Sequence, residues 1–120
     1  MADKNFTGGK EVAMPQDTDF YFHACNALAV LEAGQVKALS DAAAGLVTLA
    51  KSAHRAAGIA KDKPTEENLE KASCLYAQTI AVCSAINVDT LDSELFHAGQ
   101  YLMEVAKNNI DARLSRKLHS

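Results

Sequence analysis

The sequence has few of the residues that interrupt helices and few of those that fill a large core. Its 120 residues include two prolines, six glycines, 6% aromatic residues and no tryptophan. Large aromatic clusters are therefore excluded as the basis of the core. Alanine, by contrast, occurs 22 times. Because alanine has the highest helix propensity and lets helix axes approach closely, the composition favours helices packed on helices in one domain.

The sequence also lacks a large excess of charge of one sign and any long apolar run. The net charge of −3 provides no concentrated basic surface, so we expect no nucleic-acid partner. No run approaches the roughly 20 apolar residues that a membrane helix needs, and the first residues lack the apolar segment of a secretory signal. These features predict no membrane partner and a cytoplasmic protein of bacterial or phage type.

Recognisable catalytic motifs are missing as well. No glycine-rich loop follows a strand pattern, and the three cysteines, Cys25, Cys74 and Cys83, form no CxxC pair. We interpret them as free, buried thiols in a reducing compartment. Cys25 and His23 are two residues apart and point in different directions on a helix, and His54 is expected to be an exposed cation. The sequence therefore predicts no enzyme and no cofactor.

The first half of the chain contains a polar arm and then a helical pattern. Residues 1–17 have no sustained periodicity and predict a flexible arm. A helix then begins near residue 19 and is nearly all apolar from Phe20 to Leu31. Gly34 is a candidate end for this helix, yet the helical period continues to residue 58. Two interpretations stay open, a break at Gly34 or one long helix over 19–58, which would favour a swapped dimer.

The second half contains the clearest boundary in the chain. Pro64 stops helix propagation, and Thr65 can accept hydrogen bonds from the first free amides of a new helix. We predict a third helix to about Ile86 and a fourth from Leu91 to between residues 112 and 118. The predicted fold is all-α, a four-helix antiparallel bundle of two hairpins, 19–60 and 65–115, in a single domain over 18–118.

A short motif occurs twice, as "FHACNAL" from Phe22 and "FHAGQYL" from Phe96. We interpret it as a polar edge recurring on two amphipathic helices. A sharper hypothesis is a metal site, because helix-bundle metal sites use Glu-x-x-His pairs and "ELFH" has that spacing. A second such pair is lacking, so no metal is predicted. Whether the two histidine motifs meet in space is left open; the candidate ligands would be Asp19, His23, Glu94 and His97.

Apolar residues exceed what the core of one bundle usually needs. The first helix is apolar almost all round, and the fourth carries two adjacent apolar stripes. Leu91, Leu95, Ala98, Leu102 and Val105 form one stripe, which we expect to face the core. The other stripe is predicted to be an interface. The predicted interface residues are Phe96, Gly99, Met103 and Ile110, followed by Phe20, Tyr21 and Phe22.

The last two helical segments resemble a known group of proteins. "ENLEKASCLYAQTIAVCSAI" and "DSELFHAGQYLMEVAKNNIDA" are similar to an "ALxxAsxLL" helix followed by an "AxYLxEMAKALVDD" helix. That pair is found in small all-helical proteins of unknown function common in pseudomonads. The resemblance covers about residues 69–112 and implies a small bacterial helical accessory protein, with no activity or site residue to carry over.

Together these features predict a non-enzymatic interaction or accessory protein that acts through helix faces. The expected partner is a second copy of the chain, giving a homodimer, or another protein, or both. Two alternatives stay open. One is a helical bundle that binds a metal or small ligand through histidine and carboxylate groups. The other is a phage- or plasmid-encoded inhibitor of a host protein complex.

Overall fold

The computed structural model describes residues 20–38, 40–86 and 93–118, and these contain four α-helices. The predicted arm (1–17), Asp19 and Leu91 lie outside the described residues. Among the described helices, none is both long and apolar enough to cross a membrane. The helices are α1, Phe20–Ala38; α2, Asp41–Asp62; α3, Glu66–Ala85; and α4, Ser93–Leu118.

The boundary between the first two helices lies at Ser40. α1 continues through Gly34 to Ala38, and the Ser40 side chain accepts a hydrogen bond of 3.1 Å from the amide of Ala43 at the start of α2. This hydrogen bond satisfies one of the unpaired donors at a helix N-terminus. Both open interpretations are therefore corrected, because the helix neither ends at Gly34 nor runs unbroken to residue 58.

The boundary at Pro64 is confirmed. The Thr65 side chain accepts a hydrogen bond of 3.1 Å from the amide of Asn68, and α3 begins at Glu66. The Asn68 side chain also donates to the carbonyl of Lys63, 2.9 Å away. The chain therefore leaves α2 and enters α3 through a short turn whose polar groups are satisfied.

The four helices form an antiparallel bundle in which each helix packs against two neighbours. α1 packs on α2 and α4, and α3 packs on the same two helices. Side-chain hydrogen bonds tie α3 to α4: Ser73 donates to Asp111, and Gln100 donates to Ser84 at 2.7 Å. The predicted fold class, an all-α four-helix bundle of two hairpins, is confirmed.

α2 contributes mostly small side chains to the core, and the other three helices contribute most of the larger ones. α2 contributes six alanines to the buried set, which lets its neighbours pack close to its axis. The larger buried side chains come from α1, α3 and α4 together with Leu46 of α2. The largest of the fully buried residues are Tyr76, Phe20, Leu31, Leu46, Leu69, Met103, Ile110 and Thr79.

The α4 stripe that was predicted to be an interface lies in this core. Phe96, Gly99, Met103 and Ile110 are all buried within the single chain, and so is Phe20 of α1. α1 comes so close here that a Cβ on Gly99 would lie 2.5 Å from Cδ2 of Leu31. The expectation that this stripe is open to a partner is therefore wrong. The described part of the other stripe (Leu95, Ala98, Leu102 and Val105), which was expected to face the core, is half-buried or exposed.

Candidate functional site

A groove lies between α1 and α2. It encloses about 610 Å³ and is open to solvent along one side. Tyr21 and Leu28 of α1 form one wall, and Gly58 of α2 lets the Tyr21 ring approach closely, since a Cβ there would lie 3.3 Å from the ring. The groove is lined by Tyr21, Leu28, Lys51, His54, Arg55, Gly58, Ile59, Lys61 and Asp62.

A thiol and an imidazole meet at the edge of this groove. The Cys25 Sγ atom lies 3.3 Å from Nε2 of His54, and both side chains are half-buried. The Tyr21 ring stacks on the His54 ring, with 5.1 Å between the ring centroids. In the tautomer that carries its proton on Nδ1, the imidazole accepts the hydrogen bond from the thiol. The stacked Tyr21 ring restricts the orientation of the His54 imidazole.

The charges around the groove are mostly positive. Lys61 lies over the Tyr21 ring, 5.2 Å from its centroid, and Lys51 lies 3.8 Å from a carboxylate oxygen of Glu32. Arg55 has no ion-pair partner among the residues that the structure describes. Asp62 is the single carboxylate in the lining. The rim can therefore attract an anion.

Two tyrosine hydroxyls lie near Cys25. Burial raises the pKa of Tyr21, and so, to a lesser extent, do the charge of ionised Cys25 and a hydrogen bond with its side chain. Burial likewise raises the pKa of Tyr76, with smaller contributions from Cys25 and Tyr21. Tyr76 is 1% exposed, and its hydroxyl has no hydrogen-bond partner in the described part of the chain. Cys25 thus has His54 and Tyr21 as polar neighbours, and it interacts electrostatically with Tyr76.

Sequence reasoning missed the pairing of Cys25 with His54. It compared Cys25 with His23 and treated His54 as an exposed cation, whereas His54 is half-buried and stacked on Tyr21. The pairing was missed because the sequence reasoning did not place the helix boundary at Ser40. Cys25 lies 13 residues before Ala38 and His54 lies 13 residues after Asp41, so an antiparallel hairpin about that boundary places them opposite each other.

The other two thiols occupy different environments from Cys25. Cys74 is exposed on α3 beside Glu70 and Lys71. Cys83 is buried and donates a hydrogen bond of 3.5 Å to the carbonyl oxygen of Phe96. Burial, with a smaller effect of Glu104, raises the pKa of Cys83 to about 11. The expectation that all three cysteines are buried is therefore correct for Cys83 alone.

The candidate metal ligands are not shown to form a cluster. No group of three or more histidine, cysteine, aspartate or glutamate side chains could hold a metal ion within the described ranges. Glu94 and His97 are exposed on α4, while His23 is half-buried on α1 with its Nδ1 atom buried and without a described partner. Asp19, the fourth candidate, lies outside the described residues.

The predicted interface residues of α1 separate into three environments. Phe20 is buried in the core, Tyr21 lines the groove, and Phe22 is 64% exposed. Phe22 is followed on the outward side of α1 by Ala29, Ala33 and Val36, all exposed. We call these four residues the α1 outer face. Comparisons with protein-family models, curated proteins and solved structures give no match to this chain.

Proposed function

We propose that this protein is a non-enzymatic interaction protein that forms a homodimer through the α1 outer face. One observation carries the proposal: every exposed residue of α1 from Phe22 to Val36 is apolar, and the two large ones, Phe22 and Val36, are 64% and 70% exposed. The solvent side of a bundle helix normally carries polar residues. An extended apolar face of this kind marks a contact surface.

The flank of α4 extends the apolar surface. Leu95 and Leu102 are seven residues apart and half-buried, and the Leu95 Cβ would lie 3.3 Å from a Cβ placed on Gly34 of α1. Val105 and exposed Ala98 lie on the same side of α4. These residues continue the α1 outer face across the seam between the two helices, which gives a second chain more apolar area to cover.

The charge pattern favours a second copy of this chain as the partner. α1 has no charged residue from Phe20 to Leu31, and the four residues of the outer face are neutral. A two-fold axis brings one patch onto the same patch of another copy. Because neither patch carries a charge, the contact creates no like-charge repulsion.

The proposal predicts a dimer that a charge on α1 disrupts. Light scattering over a concentration series should give twice the chain mass of 12.8 kDa for the unaltered protein. Phe22→Glu should shift the mass to that of one chain and raise the Kd by about 100-fold, because the two-fold axis brings both glutamates into an apolar contact. Phe22 is exposed in the monomer, so helical circular dichroism should stay unchanged.

A matched control is available on the opposite side of the bundle. Val82 is an exposed apolar residue of α3, the helix diagonal to α1, and Val82→Glu should leave the dimer intact. A single-chain mass for the unaltered protein at every concentration would refute the proposal. A Phe22→Glu dimer as tight as that of the unaltered protein would place the contact elsewhere and refute the role of the α1 outer face.

A further inference from the structure

The groove between α1 and α2 contains a second site, distinct from the α1 outer face. Tyr21, Cys25 and Leu28 lie on the α2 side of α1, whereas Phe22, Ala29 and Val36 point outward. The groove combines an apolar wall with a cationic rim and has the Cys25–His54 pair at its edge. The members of this combination are all at least partly exposed.

We propose that Cys25 is a reactive thiol that forms mixed disulfides with small anionic disulfides, with His54 as its base and Lys51, Arg55 and Lys61 attracting the anion. A thiolate is the nucleophile in such exchange, and a neighbouring imidazole within hydrogen-bond distance can take the thiol proton. The 3.3 Å contact between Sγ and Nε2 provides that route. Leu28 and Tyr21 provide an apolar wall for the body of the reagent.

The exchange step balances without another reactant. The Cys25 thiol gives its proton to Nε2 of His54, and the thiolate attacks one sulfur of the small disulfide. A new bond forms between that sulfur and Sγ, while the original sulfur–sulfur bond breaks. The departing thiolate takes the proton from His54. The Cys25 sulfur is oxidised, and the leaving sulfur is reduced.

The surroundings of Cys25 differ from those of an inert core thiol. Cys25 is half-buried, and its Sγ atom lies 3.3 Å from Nε2 of His54. Cys83, in contrast, is buried against a backbone carbonyl. Cys74 is exposed but has no histidine among the residues that line its surface depression. Cys74 and Cys83 can therefore serve as internal controls for the reactivity of Cys25.

The test measures the rate of each cysteine in the folded, full-length protein. The probes are dithiobis(nitrobenzoate), an anionic aromatic disulfide, and dithiodipyridine, a neutral one, with peptide mass spectrometry to identify the modified residue. Cys25 should react first with the anionic probe, and Cys83 only after unfolding. The ratio of anionic to neutral rates should be about tenfold higher for Cys25 than for Cys74, because the cationic rim favours the anion.

Three variants separate the parts of the site. His54→Gln should slow Cys25 about tenfold with both probes and leave Cys74 unchanged, since it removes the base. Arg55→Gln should lower the rate of Cys25 with the anionic probe only. Arg116→Gln removes the same charge from α4 and should change neither rate. Circular dichroism checks that each variant is folded.

Two results would overturn the proposal. One is a Cys74 that reacts with the anionic probe as fast as Cys25 does. The other is a folded His54→Gln variant in which Cys25 keeps its rate, because the histidine would then be a packing partner of Tyr21 and not a base.

Discussion

Two glycines show how the absence of a Cβ atom affects packing at some positions of this bundle and not at others. Gly45 on α2 is exposed, and a Cβ there would meet no atom within 4 Å. Gly99 on α4 is buried, and a Cβ there would lie 2.5 Å from Cδ2 and 2.7 Å from Cγ of Leu31. The side chain of Leu31 is fully buried and has little space to move. Gly99 therefore permits the close approach of α4 to α1.

The two glycines should respond in opposite directions to the same substitution. Gly45→Ala should raise the free energy of unfolding by about 0.5–1 kcal/mol, since alanine is the better helix former. Gly99→Ala should lower it by about 1–3 kcal/mol, because overpacking outweighs the gain in propensity. Urea denaturation measures both. A Gly99→Ala protein as stable as Gly45→Ala would show that Leu31 can move aside.

Helix boundaries depend on local hydrogen bonds at the scale of the element. Ser40 separates α1 from α2, and Thr65 begins α3, each by accepting a hydrogen bond from an amide three residues later. The alanine-rich sequence on both sides of Ser40 has high helix propensity, so the N-cap hydrogen bond helps to select a hairpin over a longer helix. The position of this boundary also sets the register that places Cys25 opposite His54.

Loss of the Ser40 cap should weaken the fold. Ser40→Ala leaves an amide of α2 without its side-chain acceptor, and we expect the free energy of unfolding to fall by about 1 kcal/mol. The matched control is Ser84→Ala, which removes an exposed hydroxyl that accepts from Gln100 and should cost less than about 0.5 kcal/mol. Chemical denaturation compares the two. Equal effects would mean that the cap contributes no more than an ordinary surface contact.

At the scale of the whole molecule, burial in the core keeps Cys83 and Tyr76 protonated. Cys83 has its pKa raised from 9.0 to about 11, and the pKa of Tyr76 is also raised. The folded state therefore retains protons that the unfolded state has lost above about pH 9. The contribution of these groups to the free energy of unfolding is fully present below that pH. It decreases as the pH rises towards the folded pKa of Cys83.

This linkage predicts an alkaline loss of stability. Between about pH 8.5 and pH 10.5 the ionisation of Cys83 should lower the free energy of unfolding by about 1.5 kcal/mol. Denaturation curves at both pH values measure the fall. Cys83→Ala and Tyr76→Phe should each reduce it, whereas Cys74→Ala, at an exposed position, should not. An undiminished fall in the Cys83→Ala protein would assign the effect to other groups.

Local chemistry in the sequence was enough to predict the helices, the boundary at Pro64 and the antiparallel bundle. Alanine content, helical periodicity and capping residues act over a few residues, so they can be read without knowledge of the partner helices. The buried residues Leu69, Ala72, Tyr76 and Cys83 of α3 follow this helical period. Gly34 was a candidate helix end, but the helix continues through it. This glycine instead permits a close contact with Phe96.

Only the tertiary structure decided which apolar stripe of α4 faces inward and which side chains meet in the groove. Two adjacent stripes of similar hydrophobicity satisfy the same periodicity, and the choice depends on how closely α1 can approach Gly99. The Cys25–His54 contact likewise depends on the register of two helices about Ser40. Such contacts join residues distant in sequence, and their geometry follows from packing, which no local pattern specifies.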